Sequence, residues 1–169
     1  MYEAESKKSK AIAMENKIDQ IQNSLKQILT EAVERGKAKA MELVKKRVKS
    51  GKDHNDQAFS DYGRSQRRRR AKEGLQTTYK DFHYSSTMFE NFNEVSRTIT
   101  QDSATISISF VGAANRRPDQ KPATNKQVAG WLTEQEDKPI VGVSAKEKTE
   151  IEEAIKRGVI DEIGKITIT

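Results

Sequence analysis

The chain has 169 residues, of which 34% are hydrophobic and 33% are charged, and its net charge is +6. It contains no cysteine, which excludes disulfides, thiolate metal ligands and cysteine nucleophiles, and no apolar run approaches the roughly 18 residues of a membrane-spanning helix. We therefore expect one domain, or one domain with a long appendage. Its core is expected to be modest, and the protein is expected to be made in a cytoplasm, to need no cofactor and to contact no membrane.

The first predicted element is a long amphipathic helix. Apolar or small residues recur in steps of three or four from Ile18 to Val48, with lysine, glutamate and glutamine between them. This spacing predicts a helix from about residue 9 to residue 49, within a first region that covers residues 1–50. Such a helix is about 60 Å long, more than a domain of this size needs. It is therefore expected either to break near Gly36 or to project towards a neighbouring molecule, and Gly36 could instead allow close packing.

A polar loop over residues 50–63 separates this helix from a basic segment. Residues 53–56 (DHND) lack the spacing of a calcium-binding loop and indicate a polar turn. A short helix from about residue 61 to residue 73 follows, and Gly74 is expected to cap its C-terminus. This helix carries four consecutive arginines, of which two or three at most can share one face because successive side chains point about 100° apart.

The basic helix supplies the first set of candidate contact residues, which are expected to touch either DNA phosphates or another subunit. The set consists of Arg64, Arg67, Arg68, Arg69, Arg70 and Lys72. Residues 35–80 carry 15 Lys and Arg against five acidic residues, whereas residues 134–163 carry nine acidic residues against five basic ones. Head-to-tail packing of copies would suit this asymmetry as well as a polyanion would, and the sequence leaves both alternatives open.

The middle of the chain predicts a small antiparallel sheet. Residues 77–86, which include His83, are rich in aromatic and hydroxyl side chains and indicate a strand. Residues 94–100 and 103–112 alternate apolar and polar side chains on either side of a short turn, which predicts a hairpin.

Two further helices follow in the C-terminal third. Thr124 or Asn125 is expected to cap a helix that ends near residue 136, and Ser144 with Glu147 forms a capping box that opens the last helix. The predicted buried stripe of that last helix is Ile151, Ala154, Ile155, Val159 and Ile163. Residues 166–169 form a tail that could add a strand to a sheet.

A second set of candidate contacts lies around the single tryptophan, which either packs in the core or lies at a subunit interface, where tryptophan is enriched. The predicted oligomer interface is Trp131, Pro139, Ile140 and Val141. The chain has two histidines and no arrangement of nucleophile and base that we can place. We therefore expect no enzymatic activity, no catalytic residues and no metal site.

The order of these elements, together with four short motifs, resembles a known family. The motifs are residues 59–62 (FSDY), 67–77 (RRRRAKEGLQT), 81–88 (DFHYSSTM) and 138–144 (KPIVGVS). In this order they resemble the tail-completion and virion-morphogenesis proteins of tailed bacteriophages, the group that includes minor tail protein Z.

The resemblance implies a fold, a location and a role. The fold is α+β, in which a long N-terminal helix precedes a small antiparallel β-sheet and a C-terminal helix packs on the sheet, the mixed domain covering residues 51–165. The location is the virion, at the head–tail junction or neck, where the protein forms a ring of about six or twelve copies. Its partners are other neck and tail proteins, with DNA in the channel as a further candidate, and no catalysis is implied. The alternative is a small basic nucleic-acid-binding protein that uses the arginine-rich helix.

Overall fold

The computed structural model describes residues 2–82, 87–100, 102–114 and 121–165 of the protein. The elements in chain order are α1 (Tyr2–Lys49), α2 (Arg64–Lys72), α3 (Thr87–Glu90), β1 (Phe92–Ile99), β2 (Ala104–Phe110), α4 (Asn125–Glu136) and α5 (Ala145–Ile163). The two strands form an antiparallel sheet, and α1 contacts both the sheet and the C-terminal helix. The predicted α+β class is therefore confirmed.

Helix α1 runs without interruption for 48 residues, about 72 Å at about 1.5 Å per residue. Gly36 does not break it and instead allows a neighbouring helix to come close. A Cβ atom on Gly36 would lie 2.5 Å from Cγ1 of Ile155 on α5. Of the alternatives predicted for this glycine, close packing is the one the fold uses.

Helix α5 packs along the C-terminal half of α1 in the antiparallel direction. Its first turn reaches Arg47 through Glu147, its middle meets Gly36, and its last turns lie beside Ala32. A Cβ atom on Gly158 would lie 2.8 Å from the Cα atom of Ala32, so small residues set the separation of the two helices. This packing accounts for the glycine and alanine in the middle of both helices.

The core of the domain forms where α1 meets the loops, the sheet and α4. Its buried members come from nearly every element: Val44, Val48, Phe59, Met88, Phe92, Phe110, Ala129 and Ile140. The rings of Phe89 and Phe110 meet edge to face with centroids 5.3 Å apart. Because α1 contributes Val44 and Val48, its C-terminal half shares the core formed by residues 51–165.

The predicted hairpin is confirmed by β1 and β2, whose register pairs Phe92 with Phe110 and Ile99 with Ala104. An irregularity between Glu94 and Ser96 leaves Val95 half exposed. The strand predicted from residue 77 is wrong over residues 77–82, which form no strand. Residues 83–86, with His83, and the tail 166–169 lie outside the described residues.

Three of the predicted helix boundaries rest on capping residues, and the expected capping hydrogen bonds are present at each of them. Gly74, with φ of +69°, ends α2, and the Leu75 amide donates to the Arg70 carbonyl at 3.0 Å, the bond expected of a glycine-terminated helix. Thr124 and Ser144 each form a capping box, at the start of α4 and α5 respectively. The capping residue of α4 is therefore Thr124, the first of the two predicted alternatives.

The stripe predicted for α5 is wrong at its last position. Ile163 is 55% exposed, whereas Gly158 and Glu162 are buried. Glu162 tolerates burial because Lys165 donates to its carboxylate at 2.5 Å and the Arg35 guanidinium lies 3.8 Å away. An apolar stripe alone could not reveal that a carboxylate would take the buried position.

Candidate assembly surfaces

The basic residues of α2 divide into an inward set and an outward set. Arg70 points inward, and its side chain is only 1% exposed. Its Nη2 donates to both carboxylate oxygens of Asp81, at 2.9 and 3.1 Å, and its Nε donates to the Gln76 carbonyl at 2.7 Å. Arg70 therefore holds α2 to the segment that follows it and is removed from the predicted contact surface.

Tyr62 completes this buried cluster. Its ring lies under the Arg70 guanidinium, 4.4 Å from centroid to Cζ, and its hydroxyl donates to Asp81 Oδ1 at 2.8 Å. Burial and the hydrogen bond to Asp81 raise the pKa of Tyr62 to about 12. The cluster of Tyr62, Arg70 and Asp81 is thus a paired and hydrogen-bonded interior site, which is the condition for burying charge in a small domain.

Two more arginines of α2 form hydrogen bonds or ion pairs with residues next to the helix. Arg67 donates from Nε to the Tyr62 carbonyl at 2.7 Å and from Nη2 to Asp61 at 2.8 Å. Arg69 lies 3.6 Å from Glu73, one turn along the helix. Both side chains remain partly exposed, so they brace the helix without being withdrawn from solvent.

The outward set is a basic stripe formed by Arg64, Arg68 and Lys72. These residues recur every four positions, so they share one face of α2 over about 12 Å. All three are exposed, and none forms an ion pair within the part of the chain that the structure describes. Of the predicted basic contact set, this stripe is the part that a phosphate or an acidic neighbour could approach most freely.

A buried ion pair that the sequence analysis missed joins the ends of α1 and α5. The Arg47 Nε donates to Glu147 at 2.8 Å, and Arg47 Nη2 donates to the Gly142 carbonyl at 2.6 Å. The same glutamate closes the capping box by accepting from the Ser144 amide at 2.8 Å. The available signal was the position of Arg47 beside Val44 and Val48, on the buried stripe of α1.

A second missed network attaches α4 to the loops. The Glu136 carboxylate, 1% exposed, accepts from Lys80 Nζ at 2.5 Å and from the Ser60 amide and hydroxyl at 3.0 and 2.7 Å. Burial opposes ionisation of Glu136, but the hydrogen bonds from Lys80 and Ser60 outweigh it and lower its pKa. The partners are separated by 56 and 76 positions in the sequence, so no local pattern identifies them.

The second predicted contact set falls into different environments. Trp131 is 47% exposed and Pro139 is exposed, so both offer surface to a neighbour. Val141 is partly buried against the core. Ile140 is fully buried inside the core of its own chain, which corrects the prediction that it contacts another copy.

An exposed apolar surface lies on the N-terminal part of α1. Residues 12–27 of this helix extend past the end of α5, and we call them the arm. Five large apolar side chains of the arm are between 46% and 68% exposed: Ile12, Met14, Ile18, Ile21 and Leu25. A cluster of exposed apolar side chains along one element indicates a surface that binds another molecule. The projecting helix that the sequence predicted is therefore present and carries an uncovered stripe.

Among the described residues, no group of three or more histidines and acidic residues could hold a metal ion. In the turn over residues 53–56, the Asp53 carboxylate accepts from the Asn55 and Gln57 amides, both at 2.8 Å. Asp53 is buried and closes the turn, and the polar turn is what the sequence indicated for this segment. None of the described helices combines the length and apolarity that crossing a bilayer requires.

Comparison of the chain with protein-family models, with curated proteins and with solved structures gave no match.

Proposed function

We propose that the protein is a structural component of a tailed-phage virion, a tail-completion or head–tail joining subunit of the neck, and that it acts by assembly rather than by catalysis. The exposed apolar stripe of the arm is the observation that carries the proposal. The resemblance of the motifs and their order to tail-completion proteins supplies the phage context.

The physical argument starts from the cost of leaving the stripe in water. Burial of apolar surface contributes about 25 cal/mol per Å², so covering the four large side chains of the stripe, Met14, Ile18, Ile21 and Leu25, is a substantial driving force for association. The arm lies beyond Ala32, which packs on Gly158 in the last turns of α5, and its large apolar side chains are exposed in the described chain. A protein with such a surface is suited to forming part of a larger assembly.

Charge on the domain is compatible with packing of copies side by side. The basic stripe of α2 faces outward, and the outer face of α5 carries both signs, with Glu152 and Glu153 lying 3.9 and 3.8 Å from Lys148 and Arg157. A contact between the α2 stripe and carboxylates of a neighbouring copy is head-to-tail, and such a contact closes into a ring when the rotation between copies allows it. The resemblance to tail-completion proteins implies about six or twelve copies in that ring.

The experiment that tests this function is deletion of the gene from the phage genome that encodes it, followed by electron microscopy of the lysate. We expect heads and tails that fail to join, and rescue by the wild-type gene supplied in trans. Mass spectrometry of purified virions from the undeleted phage is expected to detect the protein. Normal virions from the deletion strain, or purified virions that lack the protein, would overturn the proposal.

The alternative is nucleic-acid binding, and the basic stripe is the observation that favours it. Three phosphate contacts would give log K against log salt a slope of about −3 for duplex DNA. The suitable variant is Arg64→Gln, Arg68→Gln and Lys72→Gln, which leaves the buried Arg70 in place. The matched control is Lys146→Gln, Lys156→Gln and Arg157→Gln, which removes the same charge from exposed positions of α5.

The two functions predict different anisotropy titrations with labelled duplex DNA. A structural role predicts weak binding that disappears near physiological salt and is reduced alike in both variants. A nucleic-acid-binding role predicts binding tighter than about micromolar at physiological salt, beyond ordinary non-specific attraction, and lost only when the α2 stripe is changed.

A further inference from the structure

The spacing of the arm's stripe identifies the kind of surface that covers it. From Met14 the apolar positions continue through Ile18, Ile21, Leu25, Ile28 and Ala32, in alternating steps of four and three. This alternation is the heptad pattern of helices that pack with side chains of one inserted between side chains of the other. This spacing favours a helix as the partner of the arm.

The same stripe is already used as a helix–helix contact farther along α1. Ile28 and Ala32 are buried inside the chain, and Ala32 lies directly beside Gly158 of α5. The exposed positions thus continue an existing interface beyond the point at which α5 ends. An incoming helix that follows the line of α5 would extend this interface along the arm.

Charge favours a second copy of this chain as the source of that helix. Residues 12–27 carry two acidic residues, Glu15 and Asp19, and two basic ones, Lys17 and Lys26, so the arm has no net charge. Two arms can approach without net repulsion. A nucleic acid would require a cationic surface, and a membrane-bound amphipathic helix carries a polar face rich in lysine and arginine, neither of which the arm offers.

The position of α5 sets the orientation of the pair. From Ile28 onward the interface on α1 is occupied by α5. In a parallel pair, both copies of α5 would have to fit between two adjacent α1 helices, whose packed axes lie only about 8–10 Å apart. In an antiparallel pair the two domains lie at opposite ends. Because α1 begins at Tyr2, each α5 keeps its place when residues 2–28 of the two copies lie side by side, which centres the pair near residue 15.

We propose that the arm pairs with the arm of a second copy of this chain as an antiparallel helical coiled coil. The inference deepens the proposed assembly function by naming one partner of the arm. It rests on that function only in so far as both require the arm to form an interface.

The test is sedimentation velocity of the full chain from about 1 to about 200 µM, with two matched variants. The first variant, Ile18→Glu with Leu25→Glu, places charge on the stripe. The second, Asn16→Glu with Asn23→Glu, adds the same charge at the same seven-residue spacing on the opposite face of the helix.

We expect the wild type to dimerise with rising concentration. The stripe variant is expected to dimerise at least about tenfold more weakly, and the opposite-face variant within about threefold of the wild type. Thermal unfolding controls for the fold, and both variants should keep the wild-type domain transition because residues 16–25 do not contribute to the core. A wild type that stays monomeric, or dimers that form equally in both variants, would overturn the proposal.

Spin labels test the orientation, since the chain has no native cysteine and single labels are easily placed. We would label Asn16→Cys and Gln27→Cys separately and measure the distance between identical labels in the dimer. An antiparallel pair predicts that the Gln27 distance exceeds the Asn16 distance by more than about 10 Å, at about 1.5 Å of rise per residue. Equal short distances at both sites would contradict it.

Failure of this inference is distinguishable from failure of the proposed function. A protein that is found in virions, and whose deletion leaves heads and tails unjoined, yet stays monomeric by sedimentation, refutes pairing with a second copy and leaves the neck function intact. A protein that dimerises through its arm but is absent from virions refutes the neck function and leaves the pairing intact.

Discussion

The two ends of α1 have the same apolar spacing and opposite surroundings. Toward its C-terminus, Leu43, Val44 and Val48 are buried, and Arg47 is enclosed by hydrogen bonds to α5 and to the loop before it. Toward its N-terminus, Ile18 and Leu25 lie on the same face of the helix as Leu43 and are about half exposed. The comparison shows that an apolar stripe makes packing on that face of a helix possible. Whether the stripe is buried depends on whether another element lies beside it.

The substitution expected to destabilise the buried C-terminal end of α1 most is Arg47→Met, because it leaves the Glu147 carboxylate buried without its partner. Removing one member of a buried pair costs about 3–5 kcal/mol, and we expect the free energy of unfolding to fall by this amount in a urea titration. The control is Lys46→Met at the adjacent exposed position, expected to change stability by no more than about 0.5 kcal/mol. Equal effects of the two substitutions would show that the pair does not hold α1 to α5.

A smaller effect is expected where α1 and α5 are closest. Gly158→Ala places a Cβ atom 2.8 Å from the Ala32 backbone, so the helices must separate, and we expect a loss of about 1–3 kcal/mol. Gly130→Ala is the matched control, because a Cβ atom there meets nothing within 4 Å and the change should instead stabilise α4 by about 0.5–1 kcal/mol. Stabilisation by both substitutions, measured by thermal unfolding, would contradict the close contact.

The smallest effect concerns the ionic contact between α1 and the sheet. Arg97 and Lys37 donate to Glu94 at 2.8 and 3.0 Å, and these hydrogen bonds lower its pKa from 4.5 to about 2. Because the folded state favours the ionised carboxylate, the contribution is present above pH 4.5 and is lost as the pH falls towards 2. It is modest, since the network faces solvent.

Comparison of the wild type with Glu94→Gln measures this contribution. Unfolding free energies should differ more at pH 6 than near pH 2, where the Glu94 carboxylate is protonated in the unfolded state and already about half protonated in the folded state. A difference that is the same at both pH values would show that the carboxylate charge contributes nothing to this contact.

Local signals in the sequence predicted much of the fold. The stripe of α1, the alternation in β1 and β2, the glycine that ends α2 and the capping boxes of α4 and α5 each depend on residues within a few positions of one another. Such patterns determine an element and its boundaries because capping and amphipathic packing are local physical requirements.

The sequence could not predict which arginines of α2 are buried and which are exposed. Arg70 is buried because Asp81 and Tyr62 meet it from outside α2, whereas Arg68, two positions earlier, faces solvent. Four identical residues in a row carry no information on which of them faces inward. The burial of Ile140 and the exposure of Trp131 likewise depend on the packing of α4 and its following loop against the core.

Hydrogen–deuterium exchange along α1 tests the central claim most directly, because it reports both ends of one helix in one experiment. At low protein concentration, amides of residues 28–48 should be protected and those of residues 12–27 should exchange quickly, since a helix without tertiary contacts opens readily. At high concentration the arm should gain protection in the wild type and not in the variant Ile18→Glu with Leu25→Glu. An arm that is as protected as residues 28–48 at low concentration, or that gains nothing on concentration, would contradict the account.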